Sequence, residues 1–127
     1  MTRRTERVAS ELQALIARLL REEVADPRIG LVTLTRLDVA PDLTNALVFW
    51  SALDTTDPAK LEACQQGLDS ASAFLRRRGA RELSLKRMPE IRFRYDASLA
   101  QGQRMLDLLR ELEPPAPGTE GPADDET

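Results

Sequence analysis

Residues 89–101 have the sequence PEIRFRYDASLAQ, which holds the clearest structural pattern in the chain. Apolar and charged residues alternate from Ile91 to Tyr95, as they do in a strand that buries only one face. Ser98 and Gln101 have the spacing of a capping box, which opens a helix. We therefore predict a strand and then a helix here, with the latter ending at the Pro-rich stretch that follows Leu112.

Four further elements are predicted upstream of this segment. A helix with one apolar stripe runs from about Thr5 to Val24. Two strands, 31–39 and 44–53, follow, and the short turn around Pro41 joins them as an antiparallel hairpin. A second helix begins at Asp57-Pro58, where an N-cap acid precedes proline at the first helical position.

The second helix is predicted to bend or break near Ala71-Ser72-Ala73. Gly67 costs about 1 kcal/mol relative to alanine in a helix, and nearby serines compete for backbone hydrogen bonds. Gly79 can end this helix, although helical structure can also resume through Leu83.

The predicted order of elements is α-β-β-α-β-α, which indicates an α+β fold. We expect a three-stranded sheet with helices packed on one face. Residues 1–112 suffice for one domain of the 127-residue chain. Residues 113–127 are acidic, rich in Pro and Gly, and too poor in apolar residues to fold, so we expect a disordered tail.

Composition excludes several classes of function. A membrane protein is excluded because no apolar run reaches the roughly 18 residues that a membrane span needs. A disulfide-stabilised scaffold is excluded because the chain has one cysteine, and histidine-based catalysis or metal binding is excluded because it has no histidine. The N-terminus shows no secretory signal, so a cytoplasmic protein without membrane contact is expected. Cys64 lies in an apolar seam and is expected to pack there as a small hydrophobe rather than act as a nucleophile.

No catalytic residue, metal ligand or cofactor is predicted, and we do not expect an enzyme. The chain lacks a glycine-rich phosphate loop. Glu22, Glu23 and Asp26 could form an acid–base pair or hold Mg²⁺, but a solvated helix end explains them more simply.

Basic residues are concentrated between positions 76 and 94, where eight stand against two acids. They are Arg76, Arg77, Arg78, Arg81, Lys86, Arg87, Arg92 and Arg94. In the predicted fold these residues neighbour one another, and such a patch attracts polyanions. The alternative is a solvated face that pairs with the chain's own acids.

Two aromatic residues of the second strand, Phe49 and Trp50, point to opposite faces of the sheet. One is expected in the core, and the other could stack a base on an open face. Packing in the core or at an interface is the simpler explanation for either residue.

Several separated segments together resemble bacterial ribosome-binding factor A, from about Arg3 to Leu112. They are Arg7-Val8, Asp26-Pro27-Arg28-Ile29-Gly30-Leu31-Val32-Thr33, Pro41-Asp42-Leu43 with Ala46, Leu75-Arg76, Pro89-Glu90-Ile91-Arg92-Phe93, Tyr95-Asp96 and Ser98-Leu99. The resemblance implies a type II KH-like fold without a Gly-x-x-Gly loop. It also implies a kink in the central helix at Ala71-Ser72-Ala73, where alanine replaces the family's glycine at position 73.

The resemblance implies a non-catalytic assembly factor. Such a protein binds free small (30S) ribosomal subunits or their precursors and assists maturation of the 5′ end region of 16S rRNA. It acts as a monomer, and an assembly GTPase is linked to its release. Alternatives are a general single-stranded RNA-binding KH-like module and a protein-interaction module.

The residues expected to contact RNA form three groups. The main group consists of Arg76, Arg77, Arg81, Lys86, Arg87, Arg92 and Arg94. Ala71, Ser72 and Ala73 are expected at a cleft, and Arg3, Arg4 and Arg7 form a secondary group. Arg28 could reach phosphate or pair with Glu22 or Asp26. The acidic tail is either inert or a weak competitor of RNA for the basic patch.

Overall fold

The computed structural model describes residues 3–83, 85 and 87–112. Within these residues the chain forms three helices and three strands in the predicted order. They are α1 (Arg3–Glu22), β1 (Val32–Val39), β2 (Asn45–Ala52), α2 (Pro58–Glu82), β3 (Glu90–Tyr95) and α3 (Ser98–Leu112).

The three strands form one mixed sheet in the order β1-β2-β3. β1 and β2 pair antiparallel, as expected for a hairpin, whereas β2 and β3 are parallel because α2 carries the chain back before β3 begins. The register of the parallel pair places Val48 opposite Phe93 and Trp50 opposite Tyr95. Because the strand order is β1-β2-β3, β3 is an edge strand.

α1 and α2 pack on the same face of the sheet and confirm the predicted architecture. α1 packs on β1, α2 packs on β3, and the two helices touch each other. The apolar stripe of α1 provides Leu12, Ile16 and Leu19, all fully buried. Burying such a stripe against a sheet is the main stabilising contribution of an amphipathic helix.

Trp50 is the aromatic residue of β2 that lies in the core, where it is fully buried. Its indole Nε1 donates to Gln65 Oε1 at 2.7 Å, and Gln65 Nε2 in turn donates to the carbonyl of Phe93 at 2.9 Å. The Tyr95 ring meets the indole edge to face, with centroids 5.1 Å apart. Gln65 thus satisfies the buried indole and links α2 to both β2 and β3.

α2 begins as predicted, with the Asp57 carboxylate accepting from the Ala59 N–H at 3.1 Å. Of the predicted bend or break near Ala71-Ser72-Ala73, the break is wrong, because α2 is continuous from Pro58 to Glu82. Alanine is the best helix former, and the Ser72 hydroxyl donates to the Asp69 carbonyl at 2.7 Å within the same helix. Gly79 accepts the final bond, from the Leu83 N–H, and does not end the helix.

A second compact unit comprises residues 97–127, of which the structure describes 97–112. Its helix, α3, has no buried residue, and Leu112 is 75% exposed. The predicted tail, 113–127, lies outside the described residues. None of the described helices combines the length and the apolar character that crossing a membrane requires.

Candidate nucleic-acid interface

A groove of about 530 Å³ lies between the second half of α2 and β3. Residues of three consecutive helical turns form one wall, and β3 with the segment before it forms the other. The lining residues are Ser72, Ala73, Arg76, Arg77, Ala80, Met88, Glu90 and Ile91. The structure therefore places two of the predicted arginines beside two of the three residues predicted at a cleft.

Ala71 is the exception among the predicted cleft residues. It is only 8% exposed and belongs to the hydrophobic core. Successive helical residues are rotated by about 100°, so Ala71 is buried while Ala73 is exposed. Ala71 therefore does not line the α2/β3 groove, and instead lines a separate pocket beside the residues that follow α1.

Arg76 connects α2 to the segment that leads into β3. Its Nε and Nη2 atoms lie 3.4 and 3.3 Å from the Met88 carbonyl oxygen. These long contacts leave the guanidinium on the wall of the groove while holding the 87–89 segment against the helix. Arg76 therefore has a structural contact in addition to its predicted one.

Arg77 and Arg81 are exposed and one helical turn apart on α2. Neither forms a hydrogen bond or an ion pair with any residue that the structure describes. Like charges at this spacing destabilise a helix by about 0.2–0.5 kcal/mol. The two guanidinium groups are therefore free to bind an external anion, and the fold does not need them.

Arg78, between these two residues in sequence, has a different environment. It pairs with Glu23, the residue after α1, and its Nη2 lies 2.9 Å from Glu82 Oε2. The hydrogen bond from Arg78 holds the pKa of Glu23 below its ordinary value. Glu82 also accepts from Arg18 of α1, so this cluster ties the two helices together and is not part of the predicted binding group.

Arg92 and Arg94 are exposed on the opposite face of the sheet from the helices. They alternate along β3 with Ile91 and Phe93, which are buried beneath the helices. The expectation that all the basic residues adjoin one another is therefore wrong. The edge strand separates a sheet-face group, Arg92 and Arg94, from a groove group, Arg76, Arg77 and Arg81.

Phe49 is the aromatic residue that points to this second face, where it is half-buried. The Arg36 guanidinium lies 4.2 Å from the ring centroid, and Arg36 and Arg94 are the two strand neighbours of Phe49. Arg36 Nε also lies 3.2 Å from Asp38 Oδ2. Arg36 is not among the residues predicted from the sequence, although the residue-by-residue register of the hairpin is a signal that would place it opposite Phe49.

The remaining predicted residues occupy other positions. Arg4 and Arg87 line a second groove, of about 370 Å³, beside the hairpin turn. Arg3 is exposed, and Arg7 Nε lies 3.4 Å from Glu11 Oε2. Lys86 lies outside the described residues.

The sequence left open whether Arg28 reaches phosphate or pairs with Glu22 or Asp26, and in the structure it pairs with Asp26. Its Nη2 and Nε atoms lie 2.8 and 3.1 Å from the Asp26 carboxylate oxygens, and Nη2 also reaches Ser70 Oγ at 3.2 Å. These hydrogen bonds lower the pKa of Asp26. The Asp26-Pro27-Arg28 segment is thus a self-paired turn that rests on α2.

Glu22 and Cys64, two further groups considered from the sequence, are explained by ion pairs and by burial. Glu22 lies within 3.9 Å of Arg18 and 3.6 Å of Arg21. Across the described part of the chain, no group of three or more histidine, cysteine, aspartate or glutamate side chains could hold a metal ion. Cys64 is buried among apolar residues, and burial raises the pKa of its thiol.

Residues 4–109 match the family described as Ribosome-binding factor A. The chain is 46% identical over 109 residues to ribosome-binding factor A of Marinomonas sp. (strain MWYL1), covering 85% of this chain and 84% of that protein. It is 36% identical over 121 residues to the Pseudomonas syringae pv. syringae (strain B728a) protein of the same name, covering 94% and 88%.

Solved structures agree with this sequence similarity. The solution structure of a Thermotoga maritima protein, described as a putative ribosome binding factor A, aligns with a TM-score of 0.64 and 33% identity over 72% of this chain and 86% of that one. The crystal structure of ribosome-binding factor A from Thermus thermophilus aligns with a TM-score of 0.63 over 72% and 93%; at 21% identity it supports the fold alone. The chain therefore belongs to the ribosome-binding factor A family.

Proposed function

We propose that this protein binds the small (30S) ribosomal subunit or its precursors. On this proposal it assists maturation of the 5′ end region of 16S rRNA without catalysing a covalent reaction. Family membership supports the proposal. So does a related Thermus thermophilus protein, whose homology model has been fitted into a cryo-EM map of its complex with 30S and aligns here with a TM-score of 0.57.

The observation that carries the proposal is the pair of unpartnered arginines beside the α2/β3 groove. Arg77 and Arg81 are exposed, and the groove next to them has apolar walls at Ala73 and Ala80. Guanidinium groups bind phosphate oxygens in a bidentate manner, and neutralising RNA phosphates releases counterions. The groove thus offers charge for the sugar–phosphate chain and apolar surface for its bases.

The proposed mechanism is a shift in the population of rRNA conformations. A protein that binds one conformation of immature rRNA more tightly than the others stabilises it by that difference in affinity. No cofactor is needed for such an action. The protein would work as a monomer in the cytoplasm, and release follows when completed folding or an assembly GTPase removes the difference.

Charge reversal in the groove group tests the proposal. Arg77→Glu with Arg81→Glu is preferable to any variant of Arg76, because Arg76 contacts the Met88 carbonyl and its removal disturbs the fold. We expect the double variant to lose cosedimentation with small subunits while keeping its circular dichroism spectrum. Unchanged cosedimentation would remove the groove from the mechanism.

The matched control reverses two positive charges elsewhere. Lys60 lies in the first turn of α2, about 25 Å along the helix axis from Arg77 at 1.5 Å per residue. Arg21 lies beside β1, at the other edge of the sheet. Lys60→Glu with Arg21→Glu changes the net charge equally and is expected to retain binding.

Competition distinguishes an assembly factor from the alternatives. If the protein is an assembly factor, small subunits should displace it from an unrelated single-stranded RNA. If small subunits and unrelated RNA compete equally well for the protein, it is a general RNA-binding module. A complex that survives RNase treatment indicates a protein partner. The maturation step itself is tested by primer extension at the 16S rRNA 5′ end in cells that carry the double variant as their sole copy.

A further inference from the structure

The groove beside the hairpin turn brings together three parts of the chain that are distant in sequence. Arg4 comes from the first turn of α1, Asp42 and Leu43 from the turn between β1 and β2, and Leu85 and Arg87 from the segment after α2. The two arginines were predicted in separate groups. The fold places them on one concave surface of about 370 Å³.

The wall formed by the hairpin turn has a fixed shape. Leu43 has a φ of 62°, a left-handed conformation that is unfavourable for a residue with a side chain. Two contacts hold it there: its N–H donates to the Ala40 carbonyl at 2.8 Å, and its side chain packs against the core. A ligand therefore meets a groove that is already formed.

The charges in this groove favour an anion. The only carboxylate that lines it in the described part of the chain belongs to Asp42, which accepts from the Thr44 N–H at 3.1 Å and from Thr44 Oγ1 at 2.7 Å. Arg4 and Arg87 are both exposed, and neither forms a hydrogen bond or an ion pair with any residue of known position. Two guanidinium groups thus face one carboxylate that is already hydrogen-bonded.

The two grooves adjoin the same short segment. Met88 lines the α2/β3 groove, and the preceding residue, Arg87, lines the groove beside the hairpin turn. Glu90 N donates to the Thr44 carbonyl at 2.9 Å, which holds the end of this segment against the hairpin. Consecutive residues of one short segment therefore line the two grooves.

We propose that Arg4 and Arg87 bind a backbone phosphodiester of the same RNA strand that occupies the α2/β3 groove. This inference rests on the proposed function and extends the binding surface from one groove to two. It assigns Arg4 a direct contact with RNA, and it predicts that affinity grows with the length of single-stranded RNA until both grooves are filled.

Fluorescence anisotropy with single-stranded RNA of two lengths tests the inference in the full chain. Oligonucleotides of about 4 and about 12 nucleotides both lie within the range of about 4–16 nucleotides that a single OB fold covers. We expect Arg4→Glu with Arg87→Glu to weaken binding of the long RNA roughly tenfold and to leave the short RNA unchanged. The slope of log K against log salt for the long RNA should become shallower by about 0.7 for each phosphate that the variant no longer neutralises.

The outcomes separate this inference from the proposed function. The proposed function is supported if Arg77→Glu with Arg81→Glu weakens binding of both RNAs. The inference of a second groove is supported as well if Arg4→Glu with Arg87→Glu weakens binding of the long RNA alone. An unchanged affinity of the Arg4/Arg87 variant for the long RNA overturns only the second groove. The second groove is also overturned if Lys60→Glu with Arg21→Glu weakens binding of the long RNA by the same factor, because net charge then explains the effect. Arg4→Gln with Arg87→Gln replaces the reversal if that variant is unfolded.

Discussion

Gly67 lies so close to Ile29 that a Cβ atom at position 67 would stand 2.8 Å from Ile29 Cγ1. The same atom would be 3.3 Å from Arg28 Cβ and 3.4 Å from the Asp26 carboxyl carbon. Glycine at this position allows α2 to approach the turn that follows α1. It is a packing requirement of the fold and does not mark a weak point in the helix.

Replacing Gly67 by alanine should destabilise the protein even though alanine favours helix. The gain in helix propensity is about 1 kcal/mol, whereas forcing a methyl group into a filled contact costs about 1–3 kcal/mol. We expect the free energy of unfolding, measured in urea, to fall by up to about 2 kcal/mol. Gly102→Ala in α3 is the control, because nothing lies within 4 Å of the added atom and its effect should be neutral or stabilising. Equal effects at both positions would contradict the packing argument.

The ion pair between Arg78 and Glu23 should make stability depend on pH in the acid range. Arg78 holds the pKa of Glu23 below its ordinary value of 4.5 in the folded protein. The unfolded chain therefore binds a proton first as pH falls, and the stabilisation is present above about pH 4.5 and lost below it.

Arg78→Met tests this dependence and retains the apolar stem of the side chain. The variant should be less stable than the wild type at neutral pH, and the difference should shrink as pH falls through the titration of Glu23. Urea unfolding between about pH 3 and pH 7 measures it. Arg81→Met is the control, because its difference in stability from the wild type should not change with pH. If the difference for Arg78→Met is likewise independent of pH, the ion pair between Arg78 and Glu23 contributes nothing.

Cys64 should be unreactive in the folded protein. Its side chain is 4% exposed, and burial raises the pKa of the thiol, so the thiolate is scarce at neutral pH. We expect labelling by Ellman's reagent to be slow in buffer and complete in concentrated urea. Rapid labelling of the native protein would contradict the buried position.

Much of the fold was predictable because local patterns dictate it. The alternation at Ile91 and Phe93 and the stripe that includes Leu12 and Ile16 each bury one face, and the structure confirms both. The interpretation of Gly67 as a weak point is wrong, because the glycine is required by a contact with the turn at Ile29, far away in sequence. A pattern within one element carries no information about such a contact.

The candidate site was predictable only in part, for a geometrical reason. A run of basic residues shows where charge is concentrated, but alternation along β3 sends Arg92 and Arg94 to the far face of the sheet. The partner of Arg78, Glu23, follows α1 and could not be read from the segment that holds Arg78. The meeting of Arg4 with Arg87 likewise depends on packing between distant parts of the chain.

The acidic tail is proposed to be inert in RNA binding. Its five acids, all beyond Leu112, stand without a basic residue and with few apolar ones. A chain that ends at Leu112 should bind small subunits with the affinity of the full chain at low salt. Tighter binding by the truncated chain would instead show that the tail competes with RNA for the arginines.

The central claim is that Arg77 and Arg81 bind RNA phosphates and are not needed for the fold. The most direct test measures the equilibrium affinity for isolated small subunits across a range of salt concentrations, for the wild type and for Arg77→Glu with Arg81→Glu. We predict a steep decline of log K with log salt in the wild type, and a slope that is shallower by about 1.4 in the variant, at about 0.7 for each phosphate that is no longer neutralised. An unchanged slope and affinity in a folded variant would contradict the claim.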